Sequence, residues 1–131
     1  MQEHALTYTE EHYLKALYLL QKRMEGPIPL KAVAAELELA LSTTSSMLKR
    51  LGEKGLVEYA PYTGSSLQPA GRRAALRTLR NQRLWEVFLV QKLNMSWDEV
   101  HAATEELEHV RSEKVMQRLE AFLEHPTVET H

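Results

Sequence analysis

Residues 42–68 read Ser42-Thr43-Thr44-Ser45-Ser46-Met47-Leu48-Lys49-Arg50-Leu51-Gly52-Glu53-Lys54-Gly55-Leu56-Val57-Glu58-Tyr59-Ala60-Pro61-Tyr62-Thr63-Gly64-Ser65-Ser66-Leu67-Gln68. Five consecutive hydroxyl-bearing residues open the stretch, and Met47, Leu48 and Leu51 follow at helical spacing. Ser42 is a candidate N-cap for that helix and Gly55 a candidate terminator. Leu56-Val57-Glu58-Tyr59 alternates apolar and polar in β-favouring residues, Pro61-Tyr62-Thr63-Gly64 is a turn signal, and Ser65-Ser66-Leu67-Gln68 suits a return strand. The stretch predicts one helix followed by a small hairpin.

Helical periodicity dominates on both sides of it. Tyr13, Leu14, Ala16, Leu17, Leu19 and Leu20 recur at three- and four-residue spacing, and Thr7 with Glu10 forms a capping box (Thr9 being the other candidate cap). This predicts a helix over about 8–24, stopped by Glu25-Gly26-Pro27-Ile28-Pro29. Leu30, Val33, Ala34 and Leu37 give a short second helix, and Leu39-Ala40-Leu41 a tight connection to the third. Beyond the hairpin, Pro69-Ala70-Gly71 opens a helix over about 70–93, and a capping box of Ser96 and Glu99 starts another at Trp97. A sixth, near 112–124, carries Val115, Leu119 and Leu123, and Pro126 is expected to end it. The expected fold is mainly α: a winged helix-turn-helix with a β-hairpin wing over 1–69, then a helical unit over 70–131.

The chain has 131 residues, 16 Lys+Arg against 18 Asp+Glu, six His and no Cys. The balanced charge gives no overall basic footprint, so any nucleic-acid binding must come from local clustering. The missing cysteine excludes disulfides, zinc fingers and thiol ligands, and fits a reducing compartment. With 44% hydrophobic residues and ten Gly plus Pro, the chain is neither disordered nor of low complexity. No targeting or membrane segment is readable, which suggests a cytoplasmic protein.

In a helix-turn-helix the second helix of the pair enters the major groove with its N-terminal residues on base edges. Here those residues are Ser42, Thr43, Thr44, Ser45 and Ser46. Short hydroxyls allow close approach, donate to phosphates, and carry threonine methyls that can meet thymine methyls. Lys49 and Arg50 can supply charge to phosphates, and Tyr62 and Lys54 can add contacts from the wing side. The plain alternative is that the hydroxyls only cap a helix and the hairpin only closes a core.

The second unit carries His101, Glu105, Glu108 and His109. At 100° per residue they fall at roughly 0°, 40°, −20° and 80°, two imidazoles and two carboxylates within one arc. Mixed N and O donors suit Mn, Fe, Co or Zn. Glu86 and His12 are further candidate donors. A solvated acidic face is the alternative, since Glu106 and Glu113 lie nearby. No zinc-protease pattern, Ser-His-Asp order or phosphate loop is present, so no enzyme is expected.

These features together resemble the metal-dependent DtxR/MntR-type transcriptional repressors over nearly the whole chain. Residues Thr9 to Tyr18 resemble the family's opening helix, Leu51 to Val57 with Tyr62-Thr63-Gly64 its helix-to-wing segment, Arg83 to Leu89 its linker helix, and Trp97 to His101 with Leu107 to Ser112 its metal-binding and dimerisation segment. The resemblance implies a metal-activated repressor of metal-uptake genes: a homodimer on a double-stranded DNA operator, activated by Mn²⁺ or Fe²⁺, with Co²⁺, Zn²⁺ or Cd²⁺ able to substitute. It assigns the principal metal site to His12, Glu105, Glu108 and His109. The ancillary site falls to Glu86 and His101, with Gln82 where the family has histidine. His12 stands where the family has methionine or aspartate, and Glu105 where iron-type members have cysteine, which places the principal site nearer the manganese type. Lys15 replaces the carboxylate of the binuclear arrangement, and Thr63 the arginine of the wing. The ending Pro126-Thr127-Val128-Glu129-Thr130-His131 implies a two-domain form or a piece cut before an SH3-like domain. The competing readings are a metal-independent winged-helix regulator, a small metallohydrolase with Glu86 or Glu105 as base, and a helical adaptor. No open-site triad supports the hydrolase, and the hydroxyl-rich helix argues against the adaptor.

Overall fold

A computed structural model of the chain describes residues 6–108 and 110–130, the side chains of 124–130 excepted. It contains α1 (Tyr8–Gln21), α2 (Leu30–Leu37), α3 (Leu41–Glu53), β1 (Val57–Ala60), β2 (Gly64–Leu67), α4 (Pro69–Gln91), α5 (Trp97–Leu107) and α6 (Glu113–Thr130). The chain forms two compact units, one ending at Thr78 and one beginning at Leu79, so α4 contributes to both. The fold is the expected mainly α winged helix-turn-helix with a hairpin wing, followed by a helical unit.

In the first unit, Tyr13, Leu14, Leu17 and Leu20 of α1, Val33 of α2, Leu48 and Leu51 of α3, and Ala74 and Ala75 of α4 share one core with Ile28, Leu56 and Val57. The capping box of α1 is present: Thr7 N–H donates to Glu10 Oε1 and Glu10 N–H to Thr7 Oγ1, both at 3.0 Å. The wing is an antiparallel pair with Val57 opposite Leu67 and Ala60 opposite Gly64. Ile28, read above only as part of a helix stop, adds a bridge to Ser65 on the wing's other edge, with N–H···O distances of 2.7 and 2.9 Å. That approach requires glycine at 64, where a Cβ would lie 2.7 Å from the Ile28 carbonyl oxygen. Gly71 is tighter still, since its Cβ would come within 2.0 Å of the carbonyl oxygen of Leu56, the residue before β1.

In the second unit, Met116, Leu119 and Leu123 of α6 bury against Leu84, Trp85, Val87 and Phe88 of α4. The α5 capping box is also present, with Ser96 N–H 2.8 Å from Glu99 Oε1. Hydrogen bonds to the carboxyl from the Ser96 backbone and side chain hold Glu99 below its ordinary pKa. Trp97 follows the cap and is 71% exposed.

Three elements differ from expectation. α1 stops at Gln21 rather than near 24, because Lys22 and Arg23 turn back onto the Leu19 and Leu20 carbonyls. α3 starts at Leu41 with Ala40 as its N-cap, so Ser42 is not the cap. α6 continues past Pro126 to Thr130. Proline's fixed φ is itself helical, so its cost is a lost N–H bond and crowding against the preceding turn rather than an obligatory stop.

Candidate nucleic-acid interface and candidate metal-ligand residues

The start of α3 decides which hydroxyls face outward. Ala40 makes no side-chain cap, so Ser42 sits inside the first turn, exposed and not engaged in capping. Thr43, Ser46, Lys49 and Arg50 are exposed with it. Thr44 departs from the expected reading face. It is fully buried and its Oγ1 donates to the Ala40 carbonyl at 2.9 Å, the ordinary back-bond of a helical threonine. Ser45 is half-buried and shares a 3.1 Å hydrogen bond with the Tyr59 hydroxyl, which ties the helix to β1. The accessible set is therefore Ser42, Thr43, Ser46, Lys49 and Arg50.

Tyr62 stands fully exposed at the wing tip with φ of +72°. The turn closes through Thr63 N–H to the Ala60 carbonyl at 3.0 Å, with Pro61 before a left-handed residue, as in a type II turn. Glycine or asparagine is favoured at that second position, so the tyrosine is held against backbone preference.

The cations at the end of α3 are partly engaged. Glu10, fully buried in the first turn of α1, accepts from Lys54 Nζ at 2.6 Å, and Arg50 Nε lies 3.5 Å from the same oxygen. Burial alone would raise the Glu10 pKa. The hydrogen bonds from Lys54 and from the capping backbone, with the charges of Lys54 and Arg50, outweigh it and hold the carboxyl below its ordinary value. Lys54 is thereby directed to α1 rather than to the wing side. The sequence marks Glu10 only as a capping residue. Nothing local marks its second role, because Lys54 lies 44 residues away in sequence.

Of the candidate metal donors, His101 and Glu105 lie one turn apart on α5, with Nε2 3.8 Å from Oε2 and both side chains exposed. Glu108 is the C-cap of the same helix, its N–H bonded to the Thr104 carbonyl. On α4, Gln82 Nε2 donates to Glu86 Oε2 at 3.2 Å. His12, in the first unit, is half-buried and stacks on Tyr8 with ring centroids 5.0 Å apart. His109 lies outside the described residues. Among the described residues, no three His, Asp or Glu side chains come together as a metal cluster. The donor chemistry nevertheless fits a divalent ion of intermediate hardness, since His101 and Glu105 bring an imidazole nitrogen and a carboxylate oxygen within 3.8 Å of one another.

Comparison with known proteins gives two matches in chain order. Residues 5–65 match the N-terminal DNA binding domain of the iron dependent repressors, and residues 68–131 their metal binding and dimerisation domain. The iron-dependent repressor IdeR of Mycobacterium leprae is 38% identical over 123 residues, 93% of this chain and 53% of that protein. An uncharacterised HTH-type transcriptional regulator of Methanocaldococcus jannaschii is 34% identical over 116 residues, 87% of this chain and 91% of its own length. Among solved structures, a manganese-dependent transcriptional repressor in complex with manganese superposes with a TM-score of 0.76 at 38% identity, covering 87% of this chain and 52% of that one. The metal-dependent transcriptional regulator MtsR superposes with a TM-score of 0.79 at 31% identity, covering 88% and 53%. The chain spans about half the length of most of these relatives.

Proposed function

The chain belongs to the iron-dependent repressor family, and from that premise we propose that it is a metal-dependent DNA-binding transcriptional regulator. The observation that carries the reading is the exposed hydroxyl-and-cation face of α3, set beside a projecting wing in a unit that matches the family's DNA binding domain. Ser42, Thr43 and Ser46 would approach base edges, with Lys49, Arg50 and Tyr62 on phosphates. The second unit, which matches the dimerisation domain, would pair with a second copy and so set the spacing of two recognition helices near a turn of duplex DNA or a multiple of it. The proposed setting is the cytoplasm. Among the described residues no helix is long and apolar enough to cross a membrane.

The proposed ion is Mn²⁺ or Fe²⁺, with Co²⁺, Zn²⁺ or Cd²⁺ as substitutes. The principal donors are His12, Glu105, Glu108 and His109, and the ancillary ones Glu86, His101 and Gln82. A bound ion supplies positive charge and fixes the segments that carry its donors. The chain's own contribution is to hold His12 near the start of α1, whose Glu10 is tied to the end of α3. Metal then favours the DNA-competent arrangement by as much as its affinity differs between the two states. In cells the result would be repression of metal-uptake genes when metal is plentiful, with no catalytic role.

The test is DNA binding to the protein's own promoter region in chelator, then in Mn²⁺ or Fe²⁺, for wild type and His12→Ala. Tight binding in metal alone, lost in His12→Ala, is the expected result. Binding indifferent to both would leave a metal-independent winged-helix regulator.

A further inference from the structure

The leading edge of α3 is apolar, although the groove-facing end of such a helix is usually polar. Leu39, Ala40 and Leu41 are consecutive and all exposed, Leu39 by 42% and Leu41 by 50%. Singly exposed leucines are ordinary. These are different because of their place. Leu41 is the first residue of the recognition helix, where side chains of such helices reach base edges. The preceding N-cap is Ala40, the poorest class of cap, where Ser, Thr or Asp would stabilise the helix. Leu41 lies one turn ahead of Ser45, on the side of the helix that Ser45 and Tyr59 close through their hydrogen bond. It thus borders the exposed hydroxyl face of Ser42 and Ser46.

In the major groove, one group of a base pair offers an apolar surface, the C5-methyl of thymine. We infer that Leu41 is a specificity-determining residue that packs on a thymine methyl at the edge of each half-site. This rests on the DNA-binding reading above and deepens it. The hydroxyls of Ser42, Thr43 and Ser46 can pair with several bases and discriminate weakly. Leu41 adds a demand for thymine at one fixed position, and the face it presents to solvent becomes buried on binding.

The probe is a duplex enriched from a randomised library by the metal-loaded protein, remade with single thymines replaced by deoxyuridine, which lacks only the methyl. Wild type is expected to lose about fourfold in affinity at one or two positions, the equivalent of about one buried methyl group. Leu41→Ala, a change at an exposed position that favours helix, should bind the parent duplex about as weakly as wild type binds a duplex with the thymine of both half-sites replaced, and should ignore either replacement. Wild type indifferent to deoxyuridine everywhere would overturn the inference, as would Leu41→Ala keeping the wild-type loss. Self-association abolished by Leu41→Ala, with no deoxyuridine effect, would assign the edge to a second copy instead. If no duplex is enriched, the DNA-binding reading itself falls, and this inference with it.

Discussion

Glu10 does two jobs with one carboxylate. One oxygen closes the capping box of α1, and the other takes the Lys54 ammonium and neighbours the Arg50 guanidinium. A buried acid with its partners removed is costly, and charged hydrogen bonds contribute about 1.5–3 kcal/mol. Lys54 is partly exposed, so solvent screens its share. Glu10→Gln, which keeps the volume and the capping oxygen, should therefore cost about 1–2 kcal/mol in chemical denaturation at neutral pH. The pH dependence follows from the lowered pKa. A depressed folded-state pKa stabilises fully above the ordinary glutamate value, and the benefit is lost as pH falls through the folded value. The gap between wild type and Glu10→Gln should thus close on acidification, and a gap that widened in acid would contradict the assignment. Tyr62 makes the opposite case. Its left-handed backbone is disfavoured for a side chain, yet it projects fully into solvent. Tyr62→Gly should leave the melting temperature unchanged or higher and weaken DNA binding severalfold, as measured by calorimetry and a binding titration.

At the scale of the element, what could be read from sequence was what lies close along the chain. The capping boxes Thr7–Glu10 and Ser96–Glu99 each span three residues, and both are formed. The β1–β2 pairing needed only a turn signal between two alternating runs. By contrast, the start of α3 depends on the connection before it. Glu38 takes a left-handed C-cap, a conformation more often given to glycine, and Leu39 N–H returns to Ala34. That geometry starts the helix before Ser42. Thr44 is then turned into the core and Ser46 out to solvent, a distinction that a run of five hydroxyls cannot express. Thr44→Val should lower stability by about 1 kcal/mol for the lost hydroxyl bond, with DNA affinity intact once folded. Ser46→Ala should do the reverse. Equal effects of the two on DNA binding would mean that the helix reads DNA through another face. The bridge Ile28–Ser65 and the pair Glu10–Lys54 join residues far apart in sequence, so no local pattern announces them.

For the whole molecule, the proposed donors are drawn from both units: His12 from the first, and Glu86, Glu105, Glu108 and the rest from the second. Nothing in residue spacing alone joins His12 to the others; the family resemblance supplies that link. Imidazole donors must be neutral to bind, so metal-activated DNA binding should weaken as pH drops through the histidine range. A chelator titration repeated at several pH values checks this. Metal-dependent affinity that does not vary over that range would exclude histidine ligation. The two tryptophans have a practical consequence. Both belong to the second unit: Trp85 packed against the α6 residues, with its indole nitrogen enclosed, and Trp97 open to water. Intrinsic fluorescence excited at the indole band is accordingly a private signal of that unit, with a blue-shifted and a red-shifted component. Acrylamide should extinguish the red component and leave the blue one, giving a label-free gauge of solvent access at Trp97 and of core melting at Trp85, while the first unit stays dark.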